Sequence, residues 1–153
     1  MVSIEKISQK FIQLDEYLGL LDEIAKVSEK AFLEDKILIG SAKYYLQTSI
    51  ECCLDVANHI IASERYRSPK DYADSFAVLE EKGIFQQQLG QNLRQMTKFR
   101  NRLVHLYGEI DDQFVYEFLK TDVEDIRKFR KVIIQQYGLI SNNIKEFSRI
   151  STD

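Results

Sequence analysis

A chain of 153 residues with 44% hydrophobic residues, 29% charged residues and a net charge of −3 fits one globular domain able to bury about two-thirds of its unfolded surface. Six glycines, one proline and two cysteines exclude collagen-like, low-complexity and disulfide-framed classes. The acidic balance argues against a broadly basic nucleic-acid clamp, so any contact with nucleic acid has to be local.

Apolar residues recur at helical spacing almost end to end, which predicts an all-α fold with no strand alternation. A first helix is expected from about Ser3 to Lys30, with Ile4, Ile7, Phe11, Leu14, Leu18, Leu21 and Ala25 forming a seam that needs a partner. A second, about Asp35 to Arg65, carries Ile39, Ala42, Leu46, Ile50, Cys53, Ala57 and Ile60, and the short turn between the two predicts antiparallel packing. Cys52 and Cys53 are neighbours on this helix and point in different directions, so they do not bridge each other. Ser68-Pro69-Lys70-Asp71 reads as the start of a short third helix, with Ser68 as N-cap, burying Tyr72, Phe76 and Leu79 and stopping at Lys82-Gly83.

The fourth helix is expected to use Phe85, Leu89, Leu93, Met96, Phe99 or Arg100, and Leu103, ending near Tyr107-Gly108. A fifth starts at Asp111-Asp112 and runs through Phe118, Val123, Ile126, Phe129 and Ile133 to Tyr137-Gly138. Residues 1–138 thus read as one antiparallel bundle of four to five helices, and residues 139–153 as a tail that either docks as a short helix or frays. No segment reaches the roughly 18 consecutive apolar residues of a membrane span. The N-terminus, Met1-Val2-Ser3-Ile4-Glu5-Lys6, carries no basic leader followed by an apolar run, so a cytoplasmic protein with no membrane partner is expected.

Chemistry concentrates in Arg100-Asn101-Arg102-Leu103-Val104-His105-Leu106-Tyr107. Between Ile84 and Gly108 the chain holds four cations, Arg94, Lys98, Arg100 and Arg102, and no Asp or Glu. An arginine that keeps its proton can hold the charge of a phosphodiester, and an imidazole that titrates near neutrality can take or give a proton. These are the two parts of a metal-free RNA cleavage site: His105 as general base toward a ribose 2′-hydroxyl, and Arg100 on the non-bridging oxygens, giving a 2′,3′-cyclic phosphate. On an ideal helix residues five apart lie about 140° apart, so Arg100 and His105 of one chain need not converge. Pairing of two chains with these helix ends facing each other would gather both pairs in one cleft. Asn101, four residues before His105, shares its face and can orient the ring. Arg-x4-His by itself reads equally well as a solvated surface pair. His59 follows Asp55 by four, but nothing completes a metal set, and a hydrogen bond between the two is expected instead. No metal and no cofactor are expected.

The whole stretch, at the end of a penultimate long helix, resembles the HEPN domain and specifically the HepT-like ribonuclease toxins. Tyr45 to Ile61 resembles that family's second helix, Ser68 to Phe76 its third-helix entry, and Gln95-Met96-Thr97-Lys98-Phe99 its approach to the catalytic stretch. The likeness spans roughly Ser3 to Tyr137. It implies a homodimeric toxin ribonuclease with catalytic Arg100 and His105, supported by Asn101, with Lys98 and Arg102 drawing the RNA backbone. It implies transfer RNA as substrate and an MntA-type minimal nucleotidyltransferase as antitoxin, which neutralises the toxin by AMPylation of Tyr107. A bulky anion there would fill the phosphate site. A different reading is a non-catalytic helical partner or nucleotide-binding module of a nucleotidyltransferase.

Overall fold

A computed structural model of the chain describes residues 1–105 and 110–139. Ser3 accepts the Lys6 N–H on its hydroxyl, and helix α1 follows over Ile4–Ala25. Ile7, Phe11, Leu14, Leu18 and Leu21 of the predicted seam are buried, whereas Ile4 is exposed. The helix stops short of Lys30 because Ser28 caps afresh, its hydroxyl accepting from Ala31 N–H, and opens the short helix α2 over Glu29–Leu33. That turn drops Phe32, fully buried, against the ring of Tyr116 at 5.2 Å. The carbonyls that α1 leaves open are met from across the bundle: Lys120 Nζ donates to Ala25 and the Tyr116 hydroxyl to Val27, at 3.0 and 2.8 Å.

Asp35 caps α3, Lys36–Ser63, which runs antiparallel to α1. The Met1 ammonium reaches the Ser63 carbonyl at one end, Lys10 pairs with Asp55 at 2.9 Å, and the Tyr17 and Tyr45 rings stack farther along. All seven predicted seam residues of α3 are buried. Both cysteines are buried free thiols, as their adjacency requires, and burial pushes the Cys52 thiol up to about 11.

Helix α4 spans Tyr72–Glu81 and begins later than its sequence suggests. Its cap is Asp71, not Ser68: the Asp71 carboxylate accepts the Asp74 N–H at 2.8 Å, while Asp74 holds the Lys70 N–H and the Arg67 guanidinium. A carboxylate at the N-cap also meets the positive end of the helix dipole, which a hydroxyl does not. Phe76 and Leu79 are buried as expected, but Tyr72 is 53% exposed. At Gly83, φ is +73°, and its N–H and that of Ile84 close the helix onto Glu80 and Leu79, the role anticipated for glycine there.

Helix α5, Gln87–Val104, lies antiparallel to α4, with Arg94 on Glu80 at one end and Arg100 beside Tyr72 at the other. The expected fifth helix is three consecutive pieces: α6 over Asp112–Glu117, a π-helical turn over Phe118–Asp122, and α7 over Val123–Gln136. It returns along α1 through Arg127–Asp22 and Arg130–Asp15 ion pairs. Phe129, fully buried on α7, meets Phe76 and Phe85 edge-on at 5.6 and 6.3 Å. The all-α antiparallel bundle is therefore as predicted, with α1, α3, α5 and α7 alternating in direction and α4 packed on α3 and α5. Leu139 is buried at the end of this core, and the rest of the expected tail lies outside the described residues. No helix among the described residues is long and apolar enough to cross a membrane.

Candidate active site

Arg100 sits about one turn before the end of α5, and the chain around it is fixed by aromatic packing. Phe99, one residue earlier, stacks on Phe118 of the π-helical turn at 4.1 Å and 11°, and tilts against Phe114 at 5.7 Å. π-Helical turns accumulate at functional sites, and this one supports the backbone that carries the arginine.

The guanidinium is held from three directions. Its Nε and Nη2 donate to a single oxygen, Oε1 of Glu51 on α3, at 3.2 and 2.9 Å. Its Nη1 donates to Asn101 Oδ1 at 3.2 Å. The Tyr72 ring lies 5.2 Å from Cζ, within cation–π reach. Glu51 is itself braced by Gln47 Nε2, one turn earlier, at 3.1 Å. Only 17% of the arginine side chain and 32% of the glutamate's is exposed, so water screens the pair weakly. A guanidinium has five N–H groups, and three are engaged by the described residues. Two remain on Nη1 and Nη2, the number a phosphate needs for a bidentate contact.

His105 is the first residue outside α5. Its backbone is extended, with φ −76° and ψ 122°, its N–H closes on the Asn101 carbonyl at 3.2 Å, and the residue is exposed. The extended ψ turns the chain away only after His105, so its i, i+4 relation to Asn101 is kept. The Asn101 amide oxygen serves Arg100. Lys98 and Arg102, one turn apart on α5, are both exposed, and Arg102 lies over the Phe114 ring at 6.0 Å. The acid-free stretch is not unopposed in space: Glu80 of α4 takes Arg94 and Glu51 of α3 takes Arg100. Tyr107 lies outside the described residues.

The second histidine has a different occupation from the one expected. His59 Nε2 accepts the Ser3 N–H at 3.0 Å, while Asp55 is taken by Lys10. Burial, then the positive charges of Lys6 and the N-terminus, lower its pKa, in keeping with a neutral ring that accepts at Nε2. Among the described residues no three His, Cys, Asp or Glu side chains cluster as a metal set.

Comparison with known proteins gives this geometry a family. The family model described as Ribonuclease HepT-like matches residues 14–133, which takes in Glu51, Tyr72, Arg100, Asn101 and His105. The chain belongs to the HepT-like ribonuclease family. A relative named mRNA nuclease HepT, from Shewanella oneidensis, is 34% identical over 102 residues, covering 67% of this chain and 77% of its own. Among solved structures, a tri-AMPylated Shewanella oneidensis HEPN toxin in complex with MNT antitoxin superposes with TM-score 0.79 at 29% identity, covering 87% of this chain and 98% of that one. A toxin–antitoxin crystal structure with AMP-PNP gives 0.77 at 27% identity, covering 84% and 97%.

Two residues that contact Arg100 in this HepT-like chain were not singled out from sequence. Glu51 carried a signal, as the one charged residue in the run Ser49 to Leu54. An acid amid apolar neighbours on a helix that has to be packed needs a cation, and Arg100 supplies it. Tyr72 carried a misleading one, since an aromatic at helical spacing with Phe76 and Leu79 reads as core.

Proposed function

We propose that this HepT-like protein is a toxin ribonuclease that cleaves RNA without a metal, Arg100 holding the phosphate charge and His105 moving the proton. The observation that supports this reading is the guanidinium of Arg100, fixed on Glu51 and Asn101 with two N–H groups remaining, five residues before an exposed imidazole. Attack by the 2′-oxygen on phosphorus forms one P–O bond and breaks the bond to the 5′-oxygen. His105 accepts the 2′-hydroxyl proton, and the leaving oxygen must receive one. A homodimer supplies a second imidazole for that step, in a cleft shared by two Arg100–His105 pairs. Asn101 supports Arg100, and Lys98 and Arg102 draw the RNA backbone along the outer face of α5.

The relatives' names extend the proposal to regulation. An MNT-type antitoxin would transfer AMP to Tyr107, adding a bulky anion two residues after His105. Transfer RNA is the expected substrate, and the relative's name specifies messenger RNA. Incubating purified protein with each, in the presence of EDTA, sorts the two. The expected products carry 2′,3′-cyclic phosphate ends and are absent for Arg100→Ala and His105→Ala, both folded. RNA that is bound but left uncut by the wild-type protein would favour the non-catalytic module instead.

A further inference from the structure

Tyr72 is the anomaly that carries furthest. It opens α4 as a residue 53% exposed, yet its ring lies 5.2 Å from the guanidinium proposed to hold the scissile phosphate. It also lines a hollow of about 360 Å³ with Asn58, Pro69, Asp71 and Ser75. Inside the hollow the polar groups are partly committed. The Ser75 hydroxyl donates to Asn58 Oδ1 at 2.7 Å, which fixes the amide and leaves its Nδ2 as the donor. Asp71 Oδ1 caps α4 through the Asp74 N–H, which leaves Oδ2 as an acceptor. Among the described residues no lysine or arginine lines the hollow, so it does not suit a second phosphate. An aromatic face, a proline ring, one neutral donor and one carboxylate acceptor together complement a flat heterocycle with polar edges.

We infer that Tyr72, Asn58 and Asp71 form a nucleobase subsite, in which the base next to the scissile phosphate stacks on Tyr72 and presents an amino group to Asp71. Phosphate on Arg100 and base on Tyr72 then belong to one nucleotide, which fits their adjacency. A carboxylate accepts and cannot donate, so bases with an exocyclic amine, guanine above all with its neighbouring N1–H and amino group, are preferred over uracil. This assignment rests on Arg100 as the phosphate-holding residue.

The test uses the full chain and two readouts. Binding is measured by anisotropy on short oligonucleotides made uncleavable by a 2′-deoxy group at the scission site, with each base in turn beside that phosphate. Cleavage is measured on the all-ribo counterparts. Tyr72→Phe should match wild type. Tyr72→Ala should weaken binding and raise KM by roughly tenfold or more, with kcat changed far less. Asp71→Asn should flatten the preference for amino-bearing bases while Tyr72 stays in place, an effect that loss of structure alone would not give. If Arg100→Ala abolishes cleavage but Tyr72→Ala and Asp71→Asn keep wild-type binding and base preference, the subsite is overturned and the cleavage proposal stands. If Arg100→Ala cleaves normally, the cleavage proposal falls and the subsite beside its phosphate falls with it.

Discussion

Replacing Glu51 by alanine and by glutamine separates two things its carboxylate does for Arg100: holding it in place and cancelling its charge. One oxygen, Oε1, receives Nε and Nη2 of Arg100 and Nε2 of Gln47, so alanine strands three donors at once. A hydrogen bond to a charged group contributes about 1.5–3 kcal/mol, and breaking a fully buried pair costs about 3–5 kcal/mol. With roughly a sixth of Arg100 and a third of Glu51 exposed, water replaces part of that contact, which puts the stability loss of Glu51→Ala at about 1–2 kcal/mol. The effect on rate should be larger than this suggests, because a guanidinium left with only Asn101 and the Tyr72 ring can swing, and an ångström of misplacement costs about a hundredfold. We expect kcat of Glu51→Ala to fall roughly 10- to 100-fold, or about 1.4–2.7 kcal/mol of barrier. Glutamine offers an amide oxygen where Oε1 stands, and one oxygen suffices for both arginine donors, so Glu51→Gln should stay within about threefold of wild type. Its KM for RNA should fall, because the positive charge is no longer cancelled. Initial rates on a fluorogenic oligoribonucleotide, with urea melts of each variant, decide the matter. A Glu51→Gln as slow as Glu51→Ala would show that charge, not aim, is what Glu51 provides, and a Glu51→Ala faster than wild type would show that the carboxylate restrains the arginine.

Three further outcomes follow from elements away from the site. Arg65 closes α3 with φ +56°, where a side chain costs about 1–2 kcal/mol, so Arg65→Gly should gain roughly 0.5–1 kcal/mol in a urea melt even after the added freedom of the unfolded chain. The Arg67 guanidinium, then the Lys70 N–H, hold the Asp74 carboxyl down at about 2, so its contribution is complete above the ordinary value of 3.8 and disappears as pH falls toward 2; Asp74→Asn should flatten the acid limb of stability against pH in that window. His59 has a lowered pKa, so the neutral ring's hold on Ser3 is complete above pH 6.5 and lost as pH falls below it; between pH 7 and 5 the denaturation midpoint should drop more in wild type than in His59→Gln, whose amide oxygen can still accept from Ser3.

Sequence and structure part company where a local cap competes with the apolar pattern, as Ser28 does after α1, and where a partner arrives from far along the chain. Periodicity locates α1 and α3 because their burial repeats every turn, and Gly83 marks a helix end because only backbone sterics are involved. The beginning of α4 was misplaced because Asp71 competes with Ser68, and Asp71 wins in a loop that Arg67, Asp74 and Glu81 tie down across up to fourteen residues. Residue type alone made Arg100 and His105 candidates, level with a solvated surface pair. Their surroundings were not legible, since Glu51 arrives from 49 residues away and Tyr72 from the head of another helix. The misreading of Tyr72 has the same root. Helical spacing with Phe76 and Leu79 argues for the core, but the first residue of a helix sits at its rim, where no further turn covers it, and there the ring meets the arginine instead. That is why the same two side chains that periodicity reads least well, one acid inside an apolar run and one aromatic outside the core, are the ones that hold and flank Arg100.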